Sequence, residues 1–198
     1  MVQMESDSEL DRDDAAPDFE LPGADGETHA RDDFETDALL VVFTCNHCPY
    51  AKAKIDLLNE LAAEYDDLAV VGINPNDADA YPEDSFEAMR EAVADGTVAY
   101  DAYLRDETGE VAAAYDAVCT PDPFLFGRED GEWRLRYHGR LDDALNPDAD
   151  PSGEPGFEMR EVIDAVLAGE DVDTPFRPSR GCTIKWRDGN EPDYWGER

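Results

Sequence analysis

Lysine is nearly missing from this chain. Its 198 residues hold three lysines (Lys52, Lys54 and Lys185) beside thirteen arginines. Against 50 acidic side chains, the formal net charge is −34. That shortage of positive charge excludes two classes of partner. A nucleic-acid backbone would be repelled rather than captured, and so would an anionic membrane surface. No run approaches the roughly 18 apolar residues that cross a bilayer. Met1 to Asp14 lack the apolar segment of a secretory signal. The expected location is therefore the cytoplasm, with no nucleic acid and no membrane as partner. Also missing are a Gly-rich phosphate loop, a nucleophile elbow, and a second C-x-x-C or H-x₃-H pair that would complete a zinc site.

The acids are spread over every segment, so no single binding face explains them. At ordinary salt such a surface repels itself. At molar salt the Debye length falls to about 3 Å and most of that repulsion is screened. The charge reads as a halophilic solvent adaptation rather than a functional site.

Apolar residues make up 41% of the chain, enough for one full core and one domain. Residues 1–14 read as a disordered acidic lead, residues 15–168 as the domain, and residues 169–198 as a C-terminal arm. Gly23 to Glu27 reads as a turn, and Asp32-Asp33-Phe34 closes a hairpin or loop. Leu39 to Thr44 is a continuous apolar run, hence a strand buried on both faces. Apolar spacing from Tyr50 to Tyr65 predicts a helix, and Leu68 to Ile73 a second buried strand, together a right-handed βαβ unit. Glu83 to Ala94 predicts an amphipathic helix, Ala99 to Leu104 a short strand, and Gly109 to Tyr115 a short helix. Phe124 to Phe126 and Trp133 to Tyr137 flank the Asp130-Gly131 turn of an antiparallel hairpin. Phe157 to Leu167 is the last helix. The Pro-rich remainder carries Phe176, Cys182, Ile184, Trp186, Tyr194 and Trp195, too many large apolar groups for a free tail.

Four cysteines occur: Cys45, Cys48, Cys119 and Cys182. In a reducing cytosol, thiols are more often catalytic or metal-binding than structural staples. Cys45-Asn46-His47-Cys48 stands between a buried strand and a helix start. One helical turn brings the second thiol within reach of the first, and unpaired N–H groups there favour a thiolate. This reading makes Cys45 the exposed nucleophile and Cys48 the resolving thiol. Pro49 is tolerated in the first turn, where its missing N–H has no intrahelical partner.

At these residues the chain resembles the thioredoxin superfamily in its redoxin branch, over roughly Ala15 to Leu167. The resemblance rests on Ala16-Pro17-Asp18-Phe19-Glu20-Leu21, on the strand with Cys45-Asn46-His47-Cys48-Pro49, and on Cys119-Thr120-Pro121-Asp122-Pro123-Phe124. Gly139-Arg140-Leu141-Asp142-Asp143 and Gly181-Cys182-Thr183-Ile184-Lys185-Trp186 bring it near uncharacterised peroxiredoxin-like proteins of the AhpC/TSA type. It implies a thioredoxin-like α/β fold: a central mixed sheet flanked by helices, with an N-terminal hairpin extension and a C-terminal arm. It also implies a cis bond at Thr120–Pro121, with the Thr120 backbone and Pro121 positioning an incoming thiol or disulfide. The implied activity is thiol–disulfide oxidoreduction on protein or small-molecule disulfides, with a thioredoxin-reductase-like reductant. No cofactor is needed, because two sulfurs carry two electrons.

Three departures qualify that resemblance. The P-x-x-x-T-x-x-C signature of peroxiredoxins is not matched: counting back from Cys48 finds Val41 and Cys45, and from Cys45 finds Ala38 and Val42. The buried acid that thioredoxins carry six residues before the first cysteine is Leu39 here. The dipeptide between the cysteines is Asn-His, as in disulfide oxidases with histidine before the second cysteine. An imidazolium at His47 would lower the Cys45 pKa and make the pair more oxidising than thioredoxin. Two alternatives stay open. One is a peroxide-reducing thiol peroxidase with Cys119 or Cys182 as resolving thiol. The other is a soft-metal chaperone using Cys45, Cys48 and Cys119 for copper or zinc. Cys119 lies two residues before Pro121 and is expected near the pair. Cys182 would link to Cys45 or Cys119 if the arm folds back. Arg140 would hold a thiolate or substrate carboxylate, or else form an ion pair among the acids.

Overall fold

The computed structural model describes residues 3–197. Ten strands and five α-helices follow in order: β1 (Gln3–Glu5), β2 (Glu20–Pro22), β3 (Thr28–Ala30), β4 (Ala38–Phe43), α1 (Pro49–Lys52), α2 (Ile55–Glu64), β5 (Leu68–Asn74), α3 (Phe86–Ala94), β6 (Ala102–Arg105), α4 (Glu110–Ala114), β7 (Cys119–Thr120), β8 (Asp122–Glu129), β9 (Glu132–His138), α5 (Phe157–Leu167) and β10 (Arg180–Thr183). The central sheet has the order β6-β5-β4-β8-β9. Strands β4, β5 and β6 run parallel, and β8 and β9 are antiparallel additions.

Strand alternation divides the core. Leu39, Val41 and Phe43 of β4 face one side with Ile73, Leu104, Tyr115, Phe124 and Phe126. Leu40 and Val42 face the other, where α2 presents Leu58 and Leu61, and α5 presents Met159, Val162 and Ile163. All six residues of β4 are buried, so the strand reads as an uninterrupted apolar run. The first face is covered by α4 and by both ends of the chain: Phe19 and Leu21 pack there beside Ile184 and Trp186. β2 and β3 form the N-terminal hairpin.

The structure departs from the sequence expectations at four places. The helix expected over 50–65 is broken between α1 and α2, where Lys54 Nζ turns to Asp142 Oδ1 at 2.6 Å. The helix expected from Glu83 begins at Phe86, with the Ser85 side chain accepting from the Ala88 N–H; Pro82–Asp84 is a separate 3₁₀ turn. Residues 3–14, expected to be a disordered lead, are ordered. Tertiary pairing overrides their acidic composition: β1 lies antiparallel to β10, Ser6 and Ser179 exchange hydrogen bonds, and Glu9 N–H donates to Asp116. The C-terminal arm contributes one short strand, Arg180–Thr183, since β10 also pairs with β7, Cys182 opposite Thr120. No helix among the described residues is long and apolar enough to cross a membrane.

Candidate active site at the Cys45–Cys48 loop

Strand β4 ends at Phe43, and the chain runs through Cys45-Asn46-His47 into Cys48, the N-cap residue of α1. Pro49 opens that short helix. The loop is clasped by one buried carboxylate, Asp84. Its Oδ1 accepts from the backbone N–H groups of Asn46 (2.7 Å) and His47 (3.2 Å), and its Oδ2 from Asn76 Nδ2 (2.9 Å). His47 Nδ1 lies 2.5 Å from the same Oδ2, and the imidazole stacks on Tyr81. Burial acts to raise the Asp84 carboxyl, but the hydrogen bonds from His47 and Asn76 outweigh it and hold the group below its usual range. Asn76 Oδ1 in turn accepts from the Lys185 N–H, so the clasp also grips the C-terminal arm.

Three sulfurs meet beside this loop. Cys48 Sγ lies 2.6 Å from Cys182 Sγ and 3.4 Å from the Thr120 carbonyl. Cys45 Sγ lies 3.3 Å from Thr120 Oγ1. The Thr120–Pro121 bond is cis. A protonated Cys48 donates to the Thr120 carbonyl; its thiolate instead collects donors. The Cys45 thiol, the Cys182 thiol and the N–H groups of Ala51 and Cys182 overcome desolvation and lower Cys48 from the usual thiol value to about 5. Its neighbours go the other way. Burial, the hydrogen bond to Cys48 and the nearby Asp84 charge push Cys45 well up. Burial and the Cys48 thiolate push Cys182 to about 12.

This corrects two expectations for Cys45. It is 1% exposed rather than open to solvent, and its pKa is raised rather than lowered. The cause is the tertiary cover: Cys48 is 0% exposed and Cys182 2%, the latter carried on the strand that lies across the loop. His47 turns its Nδ1 to Asp84 rather than to a sulfur. The Thr120 backbone, expected to face an incoming substrate, is paired with β10.

The remaining site residues are brought together only in part. The Cys119 thiol contacts Pro121 O at 3.7 Å and Ser179 Oγ at 3.9 Å, and burial pushes its pKa well up. Its strand-mate Thr120 takes the place near the pair. Arg140 is committed elsewhere, forming a bidentate pair with Glu158 at 2.6 and 2.7 Å that Arg177 also joins. Cys182 approaches Cys48, not Cys45 or Cys119 as expected from the sequence. Among the described residues, Cys45, His47 and Asp84 bring one potential metal-ligand atom each within 4.8 Å of one another. The Asp84 oxygens there are already engaged by the loop and Asn76.

The part that two positions play in shaping this site escaped the sequence reading. Asp84 looked like an ordinary acid opening a helix. Gly181 is where the arm meets the site: a Cβ there would fall 2.1 Å from the Thr120 carbonyl oxygen. The Gly-Cys dipeptide at 181–182 was the available signal, since glycine beside a reactive residue marks close backbone approach.

Comparison with known proteins gives the family and the fold. Residues 13–135 match the AhpC/TSA family. An uncharacterized conserved protein from Geobacillus kaustophilus is 39% identical, covering 94% of this chain and 97% of that one with a TM-score of 0.85. A hypothetical protein from Sinorhizobium meliloti 1021 is 42% identical, covering 93% and 99% with a TM-score of 0.80. The thioredoxin domain of a thiol-disulfide oxidoreductase from Bacteroides vulgatus shares the fold at 16% identity, covering 66% and 91% with a TM-score of 0.52. No curated protein matches the sequence. The chain belongs to the AhpC/TSA family and has a thioredoxin-like fold: a mixed sheet flanked by helices.

Proposed function

We propose that this AhpC/TSA-family chain is a thiol–disulfide oxidoreductase working through the Cys45–Cys48 dithiol. The observation that carries the reading is the convergence of three thiols at the β4–α1 junction: Cys45, Cys48 and Cys182 share one buried cluster, and Cys48 Sγ lies 2.6 Å from Cys182 Sγ. Donors from Cys45, Cys182 and Ala51 favour the thiolate at Cys48, so Cys48 takes the nucleophile's role in this reading, and Cys45 the resolving one. The Cys48 thiolate attacks one sulfur of a substrate disulfide, that bond breaks, and one substrate thiolate leaves. Cys45, having given up its proton to that thiolate, attacks the Cys48 sulfur. The Cys45–Cys48 bond forms and the second substrate thiolate leaves. Two electrons pass to the substrate, and a dithiol reductant restores the pair. With all three sulfurs covered, a protein disulfide reaches Cys48 only when β10 shifts, whereas a small disulfide needs a smaller opening.

A second reading, peroxide reduction, is favoured by family membership and by the second thiol at Cys48. The Cys48 thiolate would attack a hydroperoxide, forming a sulfenic acid and releasing an alcohol or water. Cys182 would condense with it and expel water. Thiol mapping by differential alkylation and mass spectrometry, across glutathione redox buffers in molar KCl, separates the two. A reversible Cys45–Cys48 disulfide indifferent to low peroxide is the expected result. A disulfide that appears only with peroxide overturns the first reading in favour of the second.

A further inference from the structure

Cys48 and Cys182 are 134 residues apart in sequence and 2.6 Å apart at sulfur. The contact is built by backbone rather than by a chance rotamer. On one edge β10 pairs with β7, placing Cys182 opposite Thr120. On the other it pairs with β1, Gln3 opposite Cys182 and Glu5 opposite Arg180. Arg180 and Glu5 add an ion pair at 2.9 Å, and Ser179 Oγ donates to the Pro121 carbonyl. Beyond the strand, Ile184 N–H donates to Val118 O and Lys185 N–H to Asn76. Gly181 lets the two backbones come this close. A disulfide needs its sulfurs at about 2.05 Å, so closure asks for a movement of about half an ångström.

We propose that Cys182 is a third redox cysteine, and that Cys48 is shared between two alternative disulfides, Cys45–Cys48 and Cys48–Cys182. The inference rests on the dithiol reading and extends it. From the Cys45–Cys48 disulfide, the Cys182 thiolate attacks the Cys48 sulfur. The Cys48–Cys182 bond forms, the Cys45–Cys48 bond breaks, and Cys45 leaves with the electron pair. It takes the proton that Cys182 released. Nothing is oxidised or reduced overall, so no further reagent is consumed. The product joins β10 covalently to the α1 N-cap, fastening the cover over the site. Cys45 becomes the free thiol of that form. A dithiol reductant reopens it by attacking either sulfur of the new bond.

The test is disulfide mapping of the full chain in glutathione buffers, quenched in acid, for wild type, Cys45→Ser, Cys48→Ser and Cys182→Ser. The wild type is expected to show both disulfides. Cys45→Ser should keep Cys48–Cys182, Cys182→Ser should keep Cys45–Cys48, and Cys48→Ser should lose both. A Cys45→Ser protein that carries glutathione on Cys48 but no link to Cys182 overturns the inference while Cys45–Cys48 in Cys182→Ser still stands. Absence of Cys45–Cys48 from Cys182→Ser overturns the dithiol reading itself. A readout independent of variant folding uses wild-type molecules carrying one disulfide. Alkylation of Cys45 there, in denaturant after the acid quench so that burial gives no protection, measures the Cys48–Cys182 form, and complete protection of Cys45 overturns the inference.

Discussion

Replacing Gly181 with alanine tests the role of the arm by one methyl group. The added Cβ would stand 2.1 Å from the Thr120 carbonyl oxygen and 2.5 Å from its carbon, whereas ordinary contact begins at 3.4 Å. Both obstacles are backbone, so no side-chain rotation relieves them. The strands must separate by about 1.3 Å, the difference between 2.1 and 3.4 Å. If β10 moves as a body, the 2.6 Å sulfur contact opens to as much as about 3.9 Å. Overpacking of this kind costs about 1–3 kcal/mol. For a domain this size that lowers Tm by about 2–12 °C. Two donors to Cys48 weaken at once, the thiol and the N–H of Cys182, so its pKa rises. Three assays follow: calorimetry in molar KCl, iodoacetamide kinetics at Cys48 resolved by mass spectrometry, and disulfide mapping. We expect a lower Tm, a Cys48 reactivity inflection moved to higher pH, and loss of Cys48–Cys182 with Cys45–Cys48 retained. Gly196→Ala, where nothing lies within 4 Å of the added atom, is the matched control on the same arm. A Gly181→Ala protein with wild-type Tm, an unmoved inflection and an intact Cys48–Cys182 disulfide would refute the reasoning.

The other predictions concern charge. Folded Cys48 releases its proton near 5, against 9.0 for an ordinary thiol. Between those values the unfolded chain binds the extra proton, so this group's stabilisation is complete above about 9 and is lost as pH falls toward 5. Cys45 and Cys182, both raised, act in the opposite sense: their contribution is present below 9.0 and lost at higher pH. Denaturant unfolding from pH 5 to 8 should therefore show wild type gaining stability over Cys48→Ser as pH rises; parallel curves would contradict the assignment. Asp84→Ala unpairs three donors and the His47 ring nitrogen, and should cost at least about 3 kcal/mol in chemical unfolding. A loss under about 1 kcal/mol would mean the clasp does not hold the loop. With a net charge of −34, Tm should climb between 0.1 and 2 M KCl as the Debye length shrinks from about 10 Å to under about 3 Å; a flat response would remove the halophilic reading.

Much of the fold was legible because local pattern and tertiary environment agree. The continuous apolar runs of β4 and β5 can only be strands covered on both faces, and both lie at the centre of the sheet. The 3.6-residue spacing of Met159, Val162, Ile163 and Val166 gave α5 with its observed bounds, Phe157–Leu167. Elements held by partners rather than by pattern were not legible. β1 is three residues long, exposed or half-buried throughout, and exists because β10 pairs with it. The break between α1 and α2 coincides with Lys54, whose N–H bonds back to Ala51 O and whose Nζ reaches Asp142, 88 residues away.

The sequence by itself determined that two thiols stand at the junction of a buried strand and a helix, because only two residues separate Cys45 from Cys48. Only the tertiary structure brought up the groups that bias a charge between them. The helix start and the neighbouring His47 had suggested Cys45. The donors that stabilise a thiolate come from Cys182 and Ala51 as well as from Cys45 itself, and they converge on Cys48. Burial and the Asp84 carboxylate, brought up from another loop, then disfavour a charge on Cys45. A pKa reports the groups surrounding an atom in space, and most of these groups are distant in the chain.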